Sequence, residues 1–147
     1  MCFMRNGLSN WTRLALPKEP DSLIKTEQDI KFICKGLRNK RFKLEKIFDI
    51  AIDGNKPEKF HGKCEGVPHT ICVLRTDRDN QIIGGYTKIP WDNCRQGTYK
   101  PDETAFIFSL TKHSLHPILP QVQEYATFHR NNLFCVFGQT VKTDLWI

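Results

Sequence analysis

Long apolar runs are what this chain of 147 residues lacks first: nothing in it approaches the roughly 20 consecutive apolar residues that a membrane-spanning helix requires. Its start, Met1 to Asn10, holds Arg5 and Asn6 and no apolar stretch of useful length, so it does not read as a secretory leader. Internal repeats and low-complexity tracts are missing as well. Gly84-Gly85 is not followed by the Gly-Lys-Ser/Thr of a phosphate loop. There is no Cys-x-x-Cys pair to supply a resolving thiol, and no RNA- or DNA-binding signature. With no export signal, the expectation is a cytoplasmic protein whose cysteines are reduced.

What is present is an ordinary globular composition, with 39% hydrophobic and 26% charged residues, which argues against disorder. The length fits one domain with a core that needs no crosslinks. The formal charge is +6, and much of the excess is local: Lys35, Arg38, Lys40, Arg41, Lys43 and Lys46 lie close together, opposed only by Glu45. Phe42, Leu44, Ile47 and Phe48 are threaded through this run, so it reads as a solvated basic edge over core-facing positions. A nucleic-acid patch over residues 35–46 is the lesser reading.

Residues 1–21, through Pro17 and Pro20, have no period of their own and read as an irregular leader. The domain is expected over residues 22–147. Thr26 has the character of an N-cap, with Glu27 and Asp29 in the first turn, and Ile30, Ile33, Cys34 and Leu37 recur at helical spacing, predicting a helix over 27–38. Over Phe42–Ile52, Phe42, Leu44, Phe48, Ile50 and Ile52 alternate, with Ile47 out of step, and predict a strand ended by the Asp53-Gly54 turn. Pro57 suits the start of a short helix reaching Cys64. Thr70–Thr76 and Gln81–Thr87, joined by Asp77-Arg78-Asp79-Asn80, predict a hairpin whose Gly84-Gly85 calls for a bulge or the close approach of another group. Asp92–Glu103 reads as a polar loop. Ala105–Leu110 and Leu133–Phe137 read as strands, and the chain closes on the apolar, strand-like Asp144-Leu145-Trp146-Ile147.

Three chemistries can be weighed on these residues. His61-x-x-Cys64 and His69-x-x-Cys72 have the look of paired zinc ligands. However, His69 and Cys72 begin a strand, where residues three apart point to opposite faces, so packing is the preferred role and no metal or cofactor is expected. Cys34, Cys72 and Cys135 sit in apolar runs as small core residues, which leaves Cys94, beside Arg95 in a polar loop, as the candidate reactive thiol. Asp53, Asp92, Asp102 and Glu103 read as turn and cap residues and not as paired acids and bases.

In order and spacing, Asp53-Gly54, Phe60-His61-x-x-Cys64, Gly84-Gly85-Tyr86-Thr87, Pro90-Trp91-Asp92, Phe106–Leu110, Phe137-Gly138 and Asp144–Ile147 resemble the TLDc domain of the oxidation-resistance family. The resemblance runs from Ser22 to Ile147. It implies an α+β, β-rich fold: a two-sheet antiparallel sandwich with flanking short helices. Asp53, Gly54, Phe60, His61, Cys64, Gly84, Gly85, Trp91, Asp92, Gly138 and Asp144 match the family pattern, with structural roles implied for them and no catalytic residue. Two local departures stand out: Glu65–His69 replaces a lysine-glycine-proline run, and Ala51-Ile52 replaces a serine-arginine pair. Family domains also continue for several tens of residues, so the closing strands are expected to be missing here and the chain to be a C-terminally truncated fragment, marginal on its own. The function implied is a non-catalytic module that binds and regulates the vacuolar proton-pumping ATPase, through its peripheral subunits, and contributes to oxidative-stress resistance. The alternatives are a thiol-dependent antioxidant enzyme using Cys94 and, more weakly, an RNA-binding module using residues 35–46.

Overall fold

The computed structural model describes the backbone of residues 1–6, 22–39, 42–139 and 142–146, and the side chains of 1–3, 22–39 and 42–138. Helix α1 (Glu27–Gly36) starts at Thr26, whose Oγ1 accepts from Asp29 N at 3.0 Å while Asp29 Oδ2 accepts from Thr26 N at 2.8 Å. This reciprocal cap satisfies amide donors that a helix start otherwise leaves open. Ile30, Ile33, Cys34 and Leu37 are buried, and left-handed Arg38 and Asn39 then turn the chain.

The strand expected over Phe42–Ile52 is shorter, β2 (Lys43–Phe48). Asp49 ends it by accepting from Ala51 N at 3.1 Å, which opens the single helical turn α2 (Ile50–Asp53). A capping aspartate therefore overrides the alternation of Ile50 and Ile52, and both side chains are exposed. Gly54, at φ 97°, closes the turn in a conformation suited to glycine. Helix α3 (Pro57–Cys64) begins on its proline, as predicted.

The hairpin forms from β3 (Thr70–Arg75) and β4 (Ile82–Thr87), in unbroken register from Thr70↔Thr87 to Arg75↔Ile82. No bulge accompanies the glycines; close approach accounts for them. A Cβ on Gly84 would stand 2.5 Å from the Cys72 carbonyl and from the Phe108 ring, and one on Gly85 would stand 2.6 Å from the Phe137 ring.

The remaining strands are β1 (Cys2–Asn6), β5 (Thr98–Lys100), β6 (Phe106–Ser109), β7 (Ser114–Pro117), β8 (Thr127–His129), β9 (Val136–Gln139) and β10 (Lys142–Trp146), with a 3-10 helix over Pro120–Tyr125. Strand β1 corrects the expected irregular leader, because backbone pairing on both sides holds Cys2–Asn6 in a sheet; residues 7–21 lie outside the described residues. Strand β5 interrupts the expected polar loop, and the strand expected from Leu133 begins only at Val136.

Two antiparallel sheets result, in the orders β2-β1-β3-β4-β6-β7 and β10-β9-β8-β5. The two faces of the larger sheet separate by residue parity along each strand, except that the register shift opposite Cys2 and Phe3 puts Leu44 and Phe48 of β2 on opposite faces. Phe3, Leu44, Ile71, Val73, Tyr86, Phe106 and Phe108 pack with the apolar side of α1. Cys2, Phe48 and Cys72 face the other way, against Phe60 and Cys64 of α3, Trp91, Cys135 and Phe137. The expected sandwich with flanking short helices is what the chain forms.

Candidate functional site

The residues of the family pattern gather around this second core. On α3, Phe60, His61 and Cys64 lie on adjoining turns and are buried. Phe60 meets Phe48 edge-on at 5.6 Å between ring centroids and Trp91 at 6.0 Å. The His61 Nε2 atom lies 3.1 Å from the Arg130 carbonyl oxygen and 3.0 Å from that of Leu133. Two carbonyl acceptors place the proton on Nε2, so His61 Nε2 donates to both. The Nδ1 atom is buried with no hydrogen-bond partner among the described residues. Trp91 donates through Nε1 to Thr70 Oγ1 at 2.9 Å, anchoring the segment after β4 to β3.

Beyond Trp91, Asp92 N donates to His129 Nδ1 at 3.0 Å, and His129 Nε2 lies 2.8 Å from Thr127 Oγ1. An accepting Nδ1 requires a neutral ring. Burial first, then the nearby charge of Lys100, lower the His129 pKa from 6.5 to about 4. The Trp91 and His129 ring centroids are 4.9 Å apart.

The carboxylates weighed from sequence do not pair with each other among the described residues. Asp53 Oδ1 accepts from Lys63 Nζ at 2.7 Å and its Oδ2 from Asp49 N at 2.9 Å, and the Lys63 bond lowers its pKa. Asp92 Oδ2 accepts from Lys100 Nζ at 2.9 Å, which holds its carboxyl below the ordinary carboxylate value. Glu103 is lowered likewise by Lys88. Asp102 is fully buried. Its Oδ2 accepts from Thr87 Oγ1 at 2.7 Å and Lys88 N at 2.8 Å, and its Oδ1 from Thr104 N at 2.8 Å and Thr104 Oγ1 at 2.6 Å. The Asp-x-Thr spacing was the available sign of this local bonding.

The cysteines need a correction. Cys72 and Cys135 are disulfide-bonded, where reduced cysteines were expected, because the two sheets bring β3 and the approach to β9 together across the core. Cys2, Cys34, Cys64 and Cys94 are not disulfide-bonded. Cys94 is half-buried, and its carbonyl accepts from Asn131 N at 2.8 Å. The proposed His/Cys pairs do not converge: His69 Nδ1 lies 2.8 Å from Tyr86 Oη, while Cys72 joins Cys135.

The remaining pattern residues serve the backbone or the strand pairing. Gly84 is explained by the close approach of the Cys72 carbonyl and the Phe108 ring and Gly85 by the Phe137 ring, Gly138 takes φ 85°, and Asp144 lies on β10 with its side chain outside the described ones. At the surface, Leu119 is 64% exposed and Val122 41%. Both border a cleft of about 580 Å³ that Phe106, Leu115, Tyr125 and Phe137 also line. In the basic run Lys35, Arg38 and Lys43 are exposed, while Lys46 pairs with Asp49 at 3.1 Å. Lys40 and Arg41 lie outside the described residues. Among the described residues no helix is long and apolar enough to cross a membrane.

Compared with known families, the chain matches the TLDc domain over residues 18–147. No curated protein and no solved structure gave a match.

Proposed function

We propose, from the premise that this chain belongs to the TLDc domain family, that it is a non-catalytic protein-interaction module of the oxidation-resistance type. Its partner in this reading is the peripheral part of the vacuolar proton-pumping ATPase, and its setting the cytoplasm. The observation that carries the module reading is the division of labour between core and surface. Phe60, His61, Cys64, Gly85 and Trp91 are buried and engaged in packing or hydrogen bonds that hold the two sheets and α3 together. The described surface, by contrast, carries an apolar cleft with Leu119 and Val122 standing into solvent. Apolar side chains beside a concave lining are what a protein partner desolvates on docking.

The test uses the tagged, folded chain as bait, with an unrelated basic domain of equal charge as control. Peripheral proton-pump subunits should be enriched over that control, and Leu119→Asp with Val122→Asp should cut their recovery at least tenfold while the thermal midpoint holds. Recovery unaffected by both substitutions removes the cleft from the reading; no enrichment from folded bait removes the proton pump. Peroxide turnover lost in Cys94→Ser would replace the module by the thiol enzyme. Steeply salt-dependent RNA binding would instead favour the basic run.

A further inference from the structure

Sulfur atoms from four separate parts of the chain meet in the second core. Cys2 on β1 and Cys72 on β3 are direct cross-strand partners, with their Sγ atoms 3.6 Å apart. Cys135 arrives from the smaller sheet, and the sulfurs of Cys2, Cys72 and Cys135 all lie within 4.8 Å of one another. Cys64, at the end of α3, is outside that triangle but is buried in the same core cluster. All four are at most 3% exposed. A single buried cysteine is ordinary core filling. Three from β1, β3 and the approach to β9, gathered at one point, with a fourth on α3 in the same core, form a donor set.

The spacing has a chemical meaning. Zinc holds thiolates at about 2.3 Å in a tetrahedron, which sets neighbouring sulfurs about 3.8 Å apart. The Cys2–Cys72 separation of 3.6 Å is close to that, and breaking the Cys72–Cys135 bond frees those two sulfurs to move apart to it. Phe48, Phe60, Trp91 and Phe137 surround the sulfurs with apolar surface, as a structural thiolate site requires. There is also an approach for an ion: a cleft of about 610 Å³ is lined by Cys2, Cys72 and Cys135, with Asp49 and Asp77 as well as Lys25 and Arg75 along its walls.

We propose that, when the Cys72–Cys135 bond is reduced, Cys2, Cys72 and Cys135 together with Cys64 bind one thiophilic d10 cation, zinc in the first instance. Reduction consumes two equivalents of a small thiol: the Cys72–Cys135 bond breaks, two cysteine thiols form, and the small thiol leaves as its own disulfide. Zinc then forms one bond to each sulfur, and each thiol that ionises releases its proton to solvent. The oxidised cluster, with two of its four donors tied to each other, does not hold the ion. The disulfide and the metal site are therefore alternative states of the same four residues. This inference is independent of the docking reading.

The test takes the full chain, reduced with a phosphine and freed of excess reductant without air. Zinc titration should give one equivalent bound per chain, and cobalt in its place should give sulfur-to-cobalt charge-transfer absorption with a tetrahedral d–d envelope. The oxidised chain should bind neither, which tests the site without any substitution. Cys2→Ala and Cys135→Ala should each weaken zinc binding at least tenfold, while Cys34→Ser and Cys94→Ser should leave it unchanged. The proposal is overturned if the reduced chain takes up no stoichiometric zinc, if oxidation leaves uptake intact, or if Cys94→Ser abolishes it.

Discussion

Asp102 shows how much a single buried side chain is asked to hold. Its two oxygens accept four hydrogen bonds, from Thr87, Lys88 and both donors of Thr104. In Asp102→Asn one of those oxygens becomes a donor facing two donors, so about 2–4 kcal/mol of stability should be lost. Urea unfolding of the two proteins measures this directly, and equal midpoints would mean that the network rearranges freely. His129 makes a different prediction, about pH. Its folded pKa of about 4 lies below the ordinary 6.5, so the unfolded chain takes up the proton first as pH falls. The stability that rests on neutral His129 is fully present above pH 6.5 and drains away between 6.5 and 4, by roughly 3 kcal/mol for a shift of that size. His129→Asn keeps an acceptor for Asp92 N and has no proton to gain. Its unfolding free energy should therefore vary less with pH across that window than the parent's. Matching slopes would count against a buried neutral ring.

At the scale of elements, legibility followed length and local chemistry. Helix α1 was readable because the Thr26–Asp29 cap and the spacing of Ile30, Ile33 and Cys34 agree. The β3–β4 hairpin was readable because its strands are rich in β-forming residues and its turn is polar. Strands β5 and β8 are three residues each, too short to display a period. Strand β7 ends on Pro117 at the edge of the larger sheet, where a missing amide donor does no harm but also disguises the strand. Ile50 and Ile52 alternate as strand residues do, but Asp49 starts a helical turn that leaves both exposed. The glycines of β4 carry the prediction at this scale. Gly84→Ala must press a methyl group against the Cys72 carbonyl, part of the neighbouring strand and unable to swing away, whereas at Gly85 the obstacle is only the Phe137 ring. Overpacking of this kind costs roughly 1–3 kcal/mol. Gly84→Ala should therefore lower the thermal midpoint more than Gly85→Ala, and the reverse order would show that the strand moves more easily than the ring.

Over the whole molecule, the sequence could indicate which residues belong to the family pattern but not where the sulfurs meet. Phe60, His61 and Trp91 were identifiable from spacing along the chain. The convergence of Cys2 with Cys72 and Cys135 spans sequence separations of 70 and 63 residues, and it depends on β1, for which the opening residues show no period. The Cys72–Cys135 bond also ties the six-stranded sheet to the approach to the four-stranded one. A crosslink closing a loop of that length is worth about 4 kcal/mol through the unfolded state, a large share of the 5–15 kcal/mol that typically separates folded from unfolded domains. Reduction in the presence of a chelator, which keeps any cation out of the cluster, should therefore lower the thermal midpoint by several degrees or more. The double variant Cys72→Ala/Cys135→Ala should start from the lower value and show no response to reductant. A parent protein indifferent to reduction would mean that the two sheets are held by packing alone, with Phe137 against Gly85 and Trp91 carrying the junction without the sulfur bridge.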